Sequence, residues 1–198
     1  LHQLFYLSPK LAIKPQVESS KLKLIQIETT KDLLKELTNI IQTYKIYGIV
    51  HAAAVGDYYG EYTITAEQLS QELAKKIYSQ TWTQEDLEKT ILKTIVNPEI
   101  LTDNSHKISS YEKNLMVKLG LTPKVIQHIK ELDPEILLIG FKLLDGVSKE
   151  HLLKVAYSLR EKNHADYIVA NNLALIHNGR HPATIIHEEG NYTECQTK

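Results

Sequence analysis

The sequence predicts an α/β fold, three layers in αβα order around a mostly parallel sheet, with a hairpin at the carboxyl terminus. Three observations lead there. Short apolar runs alternate with helix-period segments along most of the chain, which is the rhythm of βα units. Two of those runs, Gly48 to Val55 and Ile136 to Phe141, lack polar alternation, as central strands covered on both faces do. Finally, 198 residues that are 42% hydrophobic and 24% charged can bury one sizeable core, so residues 1–198 are expected to form a single domain.

Leu4 to Leu7 and Leu22 to Ile27 read as the first strands, the second with Leu22 and Leu24 on one face and Ile25 and Ile27 on the other. Thr29-Thr30-Lys31-Asp32 has the spacing of a capping box, and Leu33, Leu34, Leu37, Ile40, Ile41 and Tyr44 then recur at helical spacing. Gly48 to Val55 is the third strand. Residues 65–96 carry two helical patterns in succession, the second capped by Thr83 with Asp86. Two helices with no strand between them break the βα rhythm, so 65–96 is expected to be an excursion from the main sheet. Asn114 to Leu119 is a strand, and Thr122-Pro123 opens a helix through Leu132. Ile136 to Phe141, the helix of Ser148 to Lys162 and the strand of Asp166 to Ala170 follow, and Ala183 to His187 with Tyr192 to Gln196 close the chain as a hairpin around Glu189-Gly190-Asn191.

Composition excludes several classes. Lys plus Arg total 23 against 24 Asp plus Glu, a net charge of -1, so the basic footprint of a nucleic-acid binder is missing. No apolar run approaches the roughly 20 residues of a membrane span. Cys195 stands alone, which rules out an internal disulfide framework and suits a reducing cytoplasm. The nine histidines give no ordered ligand spacing, since Gly179 and Pro182 interrupt the face that His177 and His181 would share, and no protein metal site is expected. The first residues lack the layout of a signal peptide and read as a strand entered midway.

In an open parallel sheet, ligands bind beyond the carboxyl ends of the strands. Three groups fall there: Ala53, Ala54 and Asp57; Phe141 and Lys142; and Asn171 with Asn172. Small residues let a ligand approach the backbone, and Asp57 could accept from a ligand hydroxyl or cap a turn. Phe141 could stack on a planar base or pack in the core, while Lys142 could meet a phosphate or be solvated. Lys107, in a polar loop, could neutralise a polyphosphate. Neither Cys195 nor Ser109-Ser110 sits in a pattern that activates a nucleophile.

With those residues located, the chain resembles phosphopantothenate-cysteine ligase (phosphopantothenoylcysteine synthetase), in particular the monofunctional bacterial type, over most of its length. Ala53-Ala54-Val55-Gly56-Asp57-Tyr58 is similar to that family's Ala-Ala-Val-x-Asp-aromatic signature, and Lys107-Ile108 to the start of its Lys-Ile motif. Thr122 to Ile126, Ile139 to Leu143 and Asp166 to Asn171 are similar to its Pro-x-Ile, Gly-Phe and Asp-x-Ile-Val-Ala-Asn segments. The resemblance implies a Rossmann-like nucleotide-binding ligase domain that uses CTP and Mg2+ to activate the carboxylate of 4'-phosphopantothenate as an acyl cytidylate, which the cysteine amine attacks with release of CMP. It implies that Lys107 and Asp57 are catalytic, that Ala53, Ala54, Asp57, Lys107 and Phe141 bind nucleotide together with Lys142 and Lys162, and that Ala53, Ala54, Asp57 and Asn171 bind substrate. It also implies a cytoplasmic homodimer in coenzyme A biosynthesis, with ATP as the alternative nucleotide.

There are departures. Ser109 and Ser110 replace residues that are often basic, Asn172 stands where Asp is frequent, and 65–96 has no clear counterpart. Family members begin with a strand, a Gly- and Ser-rich turn and a helix, roughly 30 to 40 residues by the size of a βα unit, so this chain is expected to hold part of the site. No flavin-binding decarboxylase half is expected within 198 residues. Two rivals remain: a dinucleotide-binding oxidoreductase, against which the lack of Gly-x-Gly-x-x-Gly counts, and a non-catalytic nucleotide-binding relative.

Overall fold

Capping side chains set where the helices begin. Thr29 Oγ1 accepts from Asp32 N (3.1 Å) while Asp32 Oδ2 accepts from Thr29 N (2.8 Å), the reciprocal pair that opens α1 (Thr30–Thr43). Thr65 and Gln68 do the same for α2 (Ala66–Ile77), and Thr83 accepts from Asp86 N to open α3 (Gln84–Val96). α4 (Val125–Leu132) starts after Pro123 without a side-chain cap, and Ser148 caps α5 (Lys149–Asn163), whose C-cap His164 takes the left-handed conformation. The strands are β1 (Leu4–Ser8), β2 (Leu22–Gln26), β3 (Gly48–His51), β4 (Tyr58–Thr65), β5 (Leu115–Leu121), β6 (Leu137–Leu144), β7 (Tyr167–Asn172), β8 (Ala183–Glu188) and β9 (Asn191–Cys195). The structure, a computed structural model, describes residues 3–78, 80–102, 108, 110–177, 179–188 and 190–196.

The chain divides into two compact units, residues 1–55 with 123–198, and residues 56–122. In the first, β1 pairs with β2 in parallel, and a five-stranded sheet has the order β3-β6-β7-β8-β9. The pairings β3/β6 and β6/β7 are parallel and the two that follow are antiparallel, so the α/β, Rossmann-like class, the mostly parallel strand pairing of this unit and the carboxyl-terminal hairpin are all as the sequence predicts. Leu33 and Leu37 of α1, Val125 and Ile129 of α4, and Leu152 and Ala156 of α5 pack with Leu138, Ile168, Ala170 and Ile186 into one buried cluster. By strand alternation those sheet residues share a face. Gly140 lies on it too, and a Cβ there would meet Ile126 Cδ1 at 2.7 Å and Ile168 Cδ1 at 2.8 Å, so the helix layer lies close against the sheet at that point.

The opposite face differs from expectation. Val50 is 64% exposed, Leu137 44%, Phe141 42% and Leu143 53%, so these apolar side chains of the opposite face are left uncovered by the described residues. β3 is correspondingly an edge strand of its sheet, not a central one, and it ends at His51, leaving Ala52 to Val55 as coil.

In the second unit, β4 pairs antiparallel with β5 and α2 packs on α3. The two helices expected over 65–96 are both there. β4 was not anticipated from the sequence, which suggested only a Gly-containing turn after Val55. Ile64, Leu69 and Thr94 are buried, and so is the Glu72 carboxylate. Glu72 accepts from Glu99 N and Ile100 N and pairs with the Lys76 ammonium at 2.7 Å, so its burial leaves no lone charge.

These contacts make stability depend on acid. Burial opposes ionisation of Asp166 and Glu72, but donors outweigh it and hold both below their ordinary values of 3.8 and 4.5: Leu138 N and Lys130 for Asp166, and Lys76, Glu99 N and Ile100 N for Glu72. A depressed carboxylate stabilises the folded state above its unfolded pKa, and that contribution is lost as pH falls through the folded one. His51 adds a second loss, because burial lowers its pKa from 6.5 and the unfolded chain therefore takes up that proton first. The melting temperature is expected to fall as pH drops below 6.5 and again below 4.5, and Asp166→Asn with Glu72→Gln should flatten the second fall when followed by circular dichroism.

Candidate functional site

The carboxyl edge of the first unit's sheet is stepped. β3 reaches only to His51, in register with Gly140, whereas β6 continues through Phe141, Lys142, Leu143 and Leu144 paired with Val169 to Asn172 of β7. Four residues at the rise of a strand make a ledge of about 13 Å beside the point where Ala52, Ala53 and Ala54 leave the sheet. All three alanines are exposed and present little beyond backbone to a ligand.

Phe141 and Lys142 flank that ledge on opposite faces. Phe141 shares the open face with Leu137 and Leu143, so its ring takes no part in the buried cluster. Lys142 shares the face of Leu138 and Gly140, and its ammonium has no hydrogen bond or ion pair among the described residues. α5 follows β6 and begins at the same edge, so its N-terminal partial charge has the sign of the lysine. The edge can thus offer an aromatic plane, a cation and bare backbone, a set suited to a planar ring joined to an anion.

At the end of β7, Asn171 Nδ2 donates to Pro182 O at 2.8 Å, while Asn172 is buried. His51 was not singled out as a site residue, although it is the last residue of β3. Burial holds its imidazole below the usual pKa, and therefore neutral near pH 7. A histidine ending an apolar strand just before a run of alanines is the signal that could have found it.

Other residues lie elsewhere. Lys162 is in the last turn of α5, next to the chain's return into β7, at the opposite edge of the sheet from Asn171. A six-residue strand separates the two edges by about 17 Å. Asp57 belongs to the second unit, where its carbonyl accepts from Thr122 N at 2.9 Å, closing the mouth of the β4/β5 ribbon. Lys107 lies outside the described residues. Among the described residues, no group of three or more His, Cys, Asp or Glu side chains could hold a metal ion. No helix among the described residues is long and apolar enough to cross a membrane.

No protein-family model matches the chain. A stretch of 59 residues, 30% of the chain, is 42% identical to the coenzyme A biosynthesis bifunctional protein CoaBC of Thermococcus kodakarensis and spans 15% of that protein. Among solved structures, the DNA/pantothenate metabolism flavoprotein of Streptococcus pneumoniae is similar with a TM-score of 0.70 and 32% identity, over 98% of this chain and 74% of that one. The C-terminal domain of a coenzyme A biosynthesis bifunctional protein CoaBC is similar in fold, with a TM-score of 0.53 and 15% identity over 96% of this chain and 63% of that one.

Proposed function

This chain belongs to the DNA/pantothenate metabolism flavoprotein family, and we propose on that premise that it is a phosphopantothenate-cysteine ligase acting in coenzyme A biosynthesis. The observation that carries the reading is the stepped carboxyl edge, where Ala53-Ala54 follow the end of β3, and Phe141-Lys142 and Asn171 lie on the paired last residues of β6 and β7.

A carboxylate is a poor electrophile and must gain a leaving group before an amine can displace it. In the proposed reaction a carboxylate oxygen of 4'-phosphopantothenate attacks the α-phosphorus of CTP, and the bond to pyrophosphate breaks. The cysteine nitrogen then attacks the acyl carbon, CMP departs with the electron pair of the acyl–oxygen bond, and the ammonium proton is lost to solvent or base. Phe141 would stack on the cytosine, and Lys142 and Lys107 would balance phosphate charge. Ala53 and Ala54 would let the ligand reach backbone amides, and Asp57 and Asn171 would accept from or donate to the pantothenate portion. Lys162 is left out because it lies at the far edge. Mg2+ would accompany the nucleotide's phosphates, and no step depends on a protein-held metal. The cytoplasm is the expected location and a homodimer the expected assembly.

The test is product analysis with labelled nucleotide. Pyrophosphate should appear with CTP and phosphopantothenate, and CMP only once cysteine is added; ATP in place of CTP should work less well. Failure of both nucleotides, with measurable NAD binding by calorimetry, would favour the oxidoreductase reading. CTP binding without turnover would favour a non-catalytic relative.

A further inference from the structure

Asn172 is 7% exposed, and nearly all of its carboxamide's bonding capacity is used. Its Oδ1 accepts from Gly146 N at 3.0 Å and Ala174 N at 3.3 Å, and its Nδ2 donates to Val147 O at 2.8 Å. Two of those three bonds go to the turn between β6 and α5, and the third goes to the 3-10 turn Leu173–Leu175 that follows β7. Gly146 has φ +61°, a left-handed conformation that side chains resist, so the turn depends on a glycine for its shape and on Asn172 for its bonding. Carboxamide chemistry matters here. One side chain must accept from an N–H and donate to a C=O of adjacent residues, which a carboxylate or an alkyl group cannot do.

The turn runs from the end of β6, which carries Lys142, to Ser148, which caps α5 by accepting from His151 N at 3.2 Å. Leu144 is in register with Asn172 itself. The turn leading into α5 is therefore tied to the end of β7 by this one buried carboxamide, while Lys142 is held beside Ala170 by the β6/β7 pairing. We infer that Asn172 is a positioning residue for nucleotide binding, holding the turn of Asp145 to Ser148 so that the start of α5 meets the nucleotide's phosphates beside Lys142, which the β6/β7 pairing holds. The inference rests on the ligase reading above. Asn171, its neighbour, bonds to a different loop through Pro182 O and serves as the internal contrast.

The experiment compares wild type, Asn172→Ala and Asn172→Asp in CTP titration calorimetry and in steady-state kinetics, each well below its own melting temperature. Asn172→Ala is expected to raise the Kd and KM for CTP about tenfold while leaving the KM for cysteine unchanged. Asn172→Asp keeps the two accepting bonds but sets a carboxylate oxygen against Val147 O, and is expected to raise the Kd for CTP as well, by up to about tenfold. An Asn172→Ala protein that melts earlier but binds CTP as wild type does would overturn the inference, as would equal rises for both substrates. If wild type itself does not bind CTP, the ligase reading fails separately, and hydrogen exchange at the Gly146 amide decides the rest. Protection lost in Asn172→Ala supports the hold on the turn, and protection kept overturns it.

Discussion

Leu138→Ala is expected to lower the melting temperature by about 9 °C and Leu143→Ala by little more than 1 °C, although both are leucines of the same strand. Leu138 is 0% exposed within the cluster formed by α1, α4 and α5, and removing its buried methyl groups costs a transfer contribution plus a cavity, about 3 kcal/mol in all. Its backbone is secured independently of its side chain, because its N–H donates to Asp166 Oδ2 at 2.7 Å and its carbonyl accepts from Asp166 N at 2.9 Å. The variant therefore reports on packing alone. Leu143 points the other way and is 53% exposed, so truncation removes little buried area. Thermal melts of the two variants read how one-sided the core is. Equal losses would mean that the open face is covered in solution.

That asymmetry also shows where sequence reasoning stops. Helix starts such as those at Thr29 with Asp32 and Thr83 with Asp86 were legible because they are written in a local code that needs no knowledge of the rest of the fold. The edge position of β3 was not legible. Gly48 to Val55 is apolar but for His51, and an apolar residue reads the same whether a helix or nothing lies over it; periodicity reports residue type, not neighbour. β4 escaped for the converse reason. Its first half is exposed on both faces and interrupted by Gly60, with a register shift between Gly60 and Tyr62, so no two-residue alternation marks it until Tyr62 to Thr65.

The candidate site divides in the same way. The positions of Ala53, Phe141 and Asn171 near strand ends were legible because a rule about strand ends needs only the order of elements. The placement of Lys162 was not legible, because a helix returning across the sheet carries its last turn to the other edge, a matter of direction that residue type does not encode. Asn172 could be noticed in the sequence but not interpreted, since its three partners, Gly146, Val147 and Ala174, come from two different turns.

Lys107→Ala and Phe141→Ala are expected to separate chemistry from binding. If Lys107 balances charge on the phosphates as the carboxylate attacks, its loss should lower kcat about 100-fold, the scale of removing one preorganised charge-stabilising donor, with an unchanged melting temperature. Phe141 should behave differently. Its ring is 42% exposed on the open face and outside the buried cluster, so truncation should leave stability near wild type while removing a stacking surface. Stacking on one base is worth about 1 to 3 kcal/mol, so the Kd for CTP should rise about tenfold, and the KM for cysteine should stay as it was. Single-turnover release of pyrophosphate at saturating CTP distinguishes the two variants: Phe141→Ala should recover a near-normal rate there, and Lys107→Ala should not. Unchanged turnover in Lys107→Ala removes that lysine from the activation step, and a Phe141→Ala protein that binds CTP normally but melts early returns the ring to a packing role.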